Sequence, residues 1–234
     1  MESIKEIINK LGVIQPIPTG MEPVVHKDNT IKAIIFDIYG TLLVSASGDI
    51  DEASFSIKNL EQALNEAGIK ILANDEKQKY QILEQILDLY KQTIVDTHQK
   101  QKSHEIPYPE INIVDVCHSV IDASVARGWL MFANGNDCKK SIFVFEVLSN
   151  RTSPMPGLKD IIFRLHEKGY PLGIVSNAQF YTPILLNYYL NDEFKETENV
   201  FPFVPGLTVY SYQHLRGKPD TYLYKKLLPE LGYK

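Results

Sequence analysis

Apolar and polar positions alternate with different periods along the chain, and the changes of period mark its elements. Ile4, Ile7, Ile8 and Leu11 recur at helical spacing, which predicts a short amphipathic helix over residues 1–12, opened by a Ser3/Glu6 capping box and closed by Gly12. Residues 13–30, with Pro16, Pro18, Gly20 and Pro23, read as a connector. Ile31 to Ile38 breaks with this: Ala33-Ile34-Ile35-Phe36 is continuously apolar, the pattern of a strand covered on both faces in a parallel sheet. It ends on Asp37, with Tyr39-Gly40-Thr41 behind it.

Helical spacing rules from about residue 45 to 150. Phe55, Leu60, Ala63, Leu64 and Ala67 share one face of a helix over 51–67 that Gly68 stops. Asp75 is the expected N-cap of a long helix carrying Tyr80, Leu83, Ile86, Leu87, Tyr90 and Ile94, broken by Pro107 and Pro109. Val114, Cys117 and Ile121 predict a third helix, and Ile142, Phe143, Phe145 and Leu148 a fourth. No strand-like alternation interrupts them, so this block reads as all-helical. After Pro154-Met155-Pro156-Gly157 come a helix on Leu158, Ile161, Ile162 and Leu165 closed by Gly169, an apolar strand at 171–176, a helix over Thr182–Leu190 and a strand over Leu207–Tyr212. A last helix should place Pro219 in its first position and Asp220 at its positive end, and Pro229 should end it near Leu228. Strands alternating with helices imply an α/β parallel sheet with right-handed crossovers. The 139 positions between Asp37 and Ser176 far exceed a simple crossover and predict an inserted module.

Composition narrows the class. With 44% apolar residues, 23% charged residues and a net charge of -5, the chain can bury a sizeable core and is neither disordered nor built to bind nucleic acid. Cys117 and Cys138 lie far apart, with no metal spacing and no disulfide framework, which suits a reducing cytoplasm. No segment approaches the ~18 apolar residues of a membrane span, and the first helix reads as an arm packed on the body rather than a membrane-surface or secretory element. His98, His104 and His118 read as surface or packing residues, and Tyr188, Tyr189, Tyr210 and Tyr212 as packing rather than a platform for bases. Tyr108, Trp129 and Phe180 could line a cleft or fill the core; their spacing favours neither.

The chemistry gathers at strand ends. In an open parallel sheet ligands bind beyond the carboxyl ends of the strands. Asp37 ends the first strand, Ser176 and Asn177 the second, and Lys218 follows the third. The amides of Tyr39 and Gly40 could face an anion there, with the Thr41 hydroxyl beside them. Such a set suits a small anionic substrate attacked by a carboxylate.

These residues also carry a resemblance. Phe36-Asp37-Ile38-Tyr39-Gly40-Thr41-Leu42 resembles motif I of the haloacid dehalogenase-like hydrolase superfamily, Val175-Ser176-Asn177 its motif II, and Gly217-Lys218-Pro219-Asp220 its motif III. The helical insert is similar to that superfamily's type 1 cap. The resemblance implies a Rossmann-like core of residues 31–44 and 152–234, a helical cap of residues 45–151, and an N-terminal helix and connector over 1–30. It further implies that Asp37 is a covalent nucleophile and Lys218 its charge partner, while Tyr39, Gly40, Thr41, Ser176 and Asn177 bind substrate. For phosphoryl transfer it implies Mg²⁺ on the Asp37 carboxylate and the Tyr39 carbonyl oxygen; for dehalogenation, no metal.

Tyr39 stands where the phosphatases carry a second Asp, a pattern of the 2-haloacid dehalogenases. Yet the cap arginine of those dehalogenases has no counterpart between Thr41 and Arg127. The expected activity is hydrolysis, with a slight preference for phosphate esters over 2-halo acids; a non-catalytic binding protein of the same fold is the third reading. No membrane or nucleic-acid partner is expected, and homo-oligomerisation stays open. The resemblance also implies a further apolar strand followed by an acidic pair. None precedes the end at Lys234, which predicts a shortened chain of poor turnover and a first strand lacking a neighbour on one side.

Overall fold

A computed structural model of the chain describes residues 2–22, 24, 28, 30–46, 55–132 and 138–232. Three parallel strands form the central sheet: β1 (Ile34–Phe36), β6 (Leu172–Ser176) and β7 (Thr208–Tyr210), in the order β1-β6-β7. Ile34 pairs with Leu172 and Ile174 with Thr208. Side chains alternate between two apolar clusters across this sheet. Ile34, Phe36, Leu172, Ile174 and Tyr210 belong to the larger cluster, whereas Ile35, Val175 and Val209 meet Leu223 and Leu227 on the other face. β6 is buried at all five positions, as a central strand should be. β1 is only partly buried, which departs from the expectation of full cover on both faces; it lies at the edge of this sheet among the described residues.

Between β1 and β6 the chain runs through β2 (Leu43–Ser45), α2 (Ile57–Glu66), β3 (Ile69–Ile71), α3 (Glu76–Gln101), α4 (Ile113–Ala126), β4 (Leu130–Phe132), α5 (Cys138–Ser149), β5 (Thr152–Pro154) and α6 (Leu158–Glu167). Four helices form here as predicted, although α2 starts only at Ile57, after Phe55, and residues 51–54 of its predicted span lie outside the described ones: Asp75 caps α3 by accepting from the Gln78 amide, and Ser56 caps α2 through Asn59. The insert is not all-helical, however. β3 and β4 pair antiparallel as a ribbon, and β2 pairs with β5 where the chain leaves the sheet and returns to it. Three-residue strands of this kind show no readable period; their pairing is decided by partners 59 or more positions away. α3 ends at Gln101, before the prolines expected to break it.

α5 is buried nearly all round and packs against α2, α4 and the N-terminal helix. α1 (Glu2–Leu11) lies on the body as an arm: Ile4, Ile7 and Ile8 are buried, Arg151 donates to the Leu11 carbonyl and the Ile14 amide donates to Ser153. The expected Ser3 capping box lies outside the residues whose side chains are described. α7 (Tyr181–Asn191) follows β6, and two short helices, α8 (Ser211–His214) and α9 (Thr221–Lys225), follow β7. Pro219 does not open α9. Asp220 is the N-cap, its side chain accepting from the Tyr222 amide, and Pro219 lies just outside behind a cis peptide bond. The helix ends at Lys225, earlier than Pro229 would require.

Candidate active site

The rim of the parallel sheet brings three distant stretches together. Asp37 follows β1, and its Oδ1 accepts hydrogen bonds from the Ile38 amide (2.8 Å) and the Ser176 hydroxyl (2.9 Å). Lys218 Nζ lies 2.7 Å from Asp37 Oδ2, with the carboxylate side chain 40% exposed and the lysine 22%. Asn177 is bonded to the third stretch instead. Its Oδ1 accepts from the Lys218 amide at 2.7 Å and so fixes the loop that presents the lysine. That loop passes close to Asn177, and a Cβ on Gly217 would come within 3.4 Å of the Asn177 amide nitrogen.

One predicted anion contact is otherwise engaged. The Gly40 amide does not face the rim; it donates to the Leu43 carbonyl inside a tight turn whose amides at Thr41, Leu42 and Leu43 all point at the Ile38 carbonyl. Gly40 takes the left-handed conformation this turn requires, at φ +77°. The Tyr39 side chain leaves the rim altogether: its hydroxyl shares a 2.8 Å hydrogen bond with Thr182 on α7. Burial pushes that phenol far above its usual range, with the Glu146 charge adding to the effect. Thr41 is exposed on the turn.

A cavity of about 740 Å³ opens beside Lys218 and Asn177, between α3, the 107–111 segment, α5 and the loop after β6. The insert is tied down here. The Gly217 amide donates to the Tyr108 carbonyl (2.8 Å) and the Glu110 amide to the Leu215 carbonyl (3.1 Å). Gln179 is buried; its side chain accepts from the Ile113 amide and donates to the Ile111 carbonyl. Of the three aromatic residues with two readings, Tyr108 lines the cavity, whereas Phe180 packs on Phe143 and Tyr181, and Trp129 lies under Arg127. His98 lines the cavity as well, 4.0 Å from Glu110, while His104 and His118 are exposed.

Sequence patterns missed one polar centre. Glu146 sits in the middle of α5, 5% exposed, and reaches the cavity. Tyr90 donates to its Oε1 at 2.7 Å and Tyr181 to its Oε2 at 3.0 Å. Burial raises this carboxyl above the usual range, and the two tyrosine hydroxyls oppose the rise. α5 reads as an apolar helix from its sequence, and nothing in that reading marks its lone carboxylate. Nor are the two cysteines apart: Cys117 and Cys138 meet as buried thiols with their sulfurs 2.8 Å from each other.

Magnesium needs a nearly octahedral set of oxygen ligands. No cluster of three His, Cys, Asp or Glu side chains occurs among the described residues. The residues described at the rim do not by themselves make a magnesium site. Among the described residues no helix is long and apolar enough to cross a membrane.

A family model described as haloacid dehalogenase-like hydrolase matches residues 31–234. No curated protein matches the sequence. Among solved structures, the chain is similar to the L-2-haloacid dehalogenase RSc1362, at 17% identity over 87% of this chain and 74% of that one, with a TM-score of 0.40. It is likewise similar to CbbY from Rhodobacter sphaeroides in complex with xylulose-(1,5)bisphosphate, at 18% identity over 87% of this chain and 73% of that one, also with a TM-score of 0.40.

Proposed function

Because the chain belongs to the haloacid dehalogenase-like hydrolases, we propose that it hydrolyses a small phosphate ester with Asp37 as nucleophile. The observation that carries this reading is the contact of Asp37 with both Lys218 (2.7 Å) and Ser176 (2.9 Å) at the sheet rim. Oδ1 is held by two donors, which fixes the carboxylate plane. Oδ2 faces Lys218 at the half-open side, and its remaining lone pair is the one free to attack. Attack on phosphorus forms an acyl phosphate on Asp37 and breaks the bond to the leaving alcohol; water then releases inorganic phosphate and restores the carboxylate. The Lys218 ammonium and the Ser176 hydroxyl lie where they can hold the phosphoryl oxygens as charge moves onto them. The lack of an arginine in the described lining of the cavity supports phosphate over a 2-halo acid; Lys91 of α3 and Lys102 at its C-cap suit an anion of either kind.

The test is release of phosphate and of halide from panels of phosphate esters and 2-halo acids, with and without added Mg²⁺. Phosphate release is expected, and Asp37→Asn should lower it by at least about 10³-fold with an unchanged circular dichroism spectrum. Undiminished turnover by that variant overturns the nucleophile, and metal-independent halide release overturns the substrate class.

A further inference from the structure

The cavity has two unlike ends. Lys218 and Asn177 line it next to Asp37, while Phe55, Tyr90, Tyr181 and Glu146 line it beneath α3 and α5. Glu146 is buried among aromatic rings: Phe55 lies 5.7 Å from Tyr90, edge to face, and 5.4 Å from Phe145, stacked. Each carboxylate oxygen has two acceptor directions. Tyr90 and Tyr181 use one on each, so each oxygen keeps one. A carboxylate removed from water is costly, and two neutral hydroxyls offset that cost less well than a cation does. Aromatic faces attract cations too. The sheet-rim chemistry described above does not use this group.

We infer that Glu146, Tyr90, Tyr181 and Phe55 form a pocket for an ammonium group, so that the substrate is a small phosphate ester of an amino alcohol, with its phosphate at Asp37 and Lys218 and its ammonium at Glu146. The phosphate end rests on the proposed function; the ammonium end stands on the Glu146 geometry alone. Lys91 and Lys102 are exposed on the lip of the cavity, where water and salt screen them within about 8 Å. They act on the phosphate as it approaches. The buried end presents carboxylate and rings instead.

Binding tests this apart from turnover. Calorimetric titration of the full chain compares phosphoethanolamine with propyl phosphate, in which a methyl group replaces the ammonium. The protein should bind phosphoethanolamine at least about tenfold more tightly, and Glu146→Gln, which can keep hydrogen bonds to both tyrosines, should bring the ratio close to one. Tyr181→Phe, which retains the ring, should reduce the ratio by a smaller factor. Equal affinity of the unaltered chain for the two esters, or a preference that survives Glu146→Gln, overturns the assignment. Tighter binding of 2-hydroxyethyl phosphate than of phosphoethanolamine also overturns it, in favour of a hydroxyl reader. Ammonium-selective binding without hydrolysis would sink the phosphatase reading and leave this one standing; hydrolysis of both esters without selectivity would do the reverse.

Discussion

Two carboxylates, Asp37 and Glu146, show how environment divides the work of one functional group. Asp37 keeps 40% of its side chain open and faces an ammonium, an arrangement that leaves it reachable. Glu146 is buried with only hydroxyl donors, and burial shifts its titration upward from 4.5. The consequence for stability has a definite sign. Above pH 4.5 the unfolded chain releases this proton more readily than the folded chain, so the group's contribution falls as pH rises toward its raised native value. Denaturant unfolding at a series of pH values rising from 4.5 should therefore show Glu146→Gln gaining on the unaltered protein as pH increases. The slope should not exceed about 1.4 kcal/mol per pH unit. A constant difference across that range would mean that Tyr90 and Tyr181 cancel the cost of burial.

At the scale of elements, the parallel sheet depends on close approach as much as on apolar run length. Gly173 lies in the middle of β6, paired with Ile35, and a Cβ there would fall 2.3 Å from the Leu207 carbonyl oxygen and 2.7 Å from Ile35 Cδ1. The turn Pro205–Leu207 crosses the sheet at this point because β6 offers no side chain. Gly173→Ala should destabilise the fold by about 1–3 kcal/mol, read from the midpoint of urea unfolding. The apolar run over 171–176 made β6 legible in the sequence, since a central strand is buried on both faces. The β3–β4 ribbon was not legible, because a three-residue strand owes its existence to its partner rather than to its own pattern.

Over the whole molecule, the cleft is a joint between the insert and the sheet, and Gln179 is its main polar fastener. It leaves the loop after β6 and satisfies two backbone groups at the start of α4, the Ile111 carbonyl and the Ile113 amide. Gln179→Ala would strand both in a buried setting, and a loss of about 2–4 kcal/mol in unfolding free energy is expected. If the proposed site is right, KM should rise more than kcat falls, because the joint shapes the cavity while Asp37, Ser176 and Lys218 stay on the sheet. Unchanged stability would show that water replaces the side chain.

The sequence alone determined the parallel α/β core, the insert and the meeting of Asp37, Ser176 and Lys218. These follow from local rules: apolar runs make buried strands, and strand ends in a parallel sheet converge on one rim. Only the tertiary structure decided where the Tyr39 phenol and the Gly40 amide go, that the two cysteines touch, and that Glu146 enters the cavity between two tyrosines. Each of those outcomes is fixed by partners from other elements, and a carboxylate on an apolar helix acquires its chemistry only from what the fold packs against it.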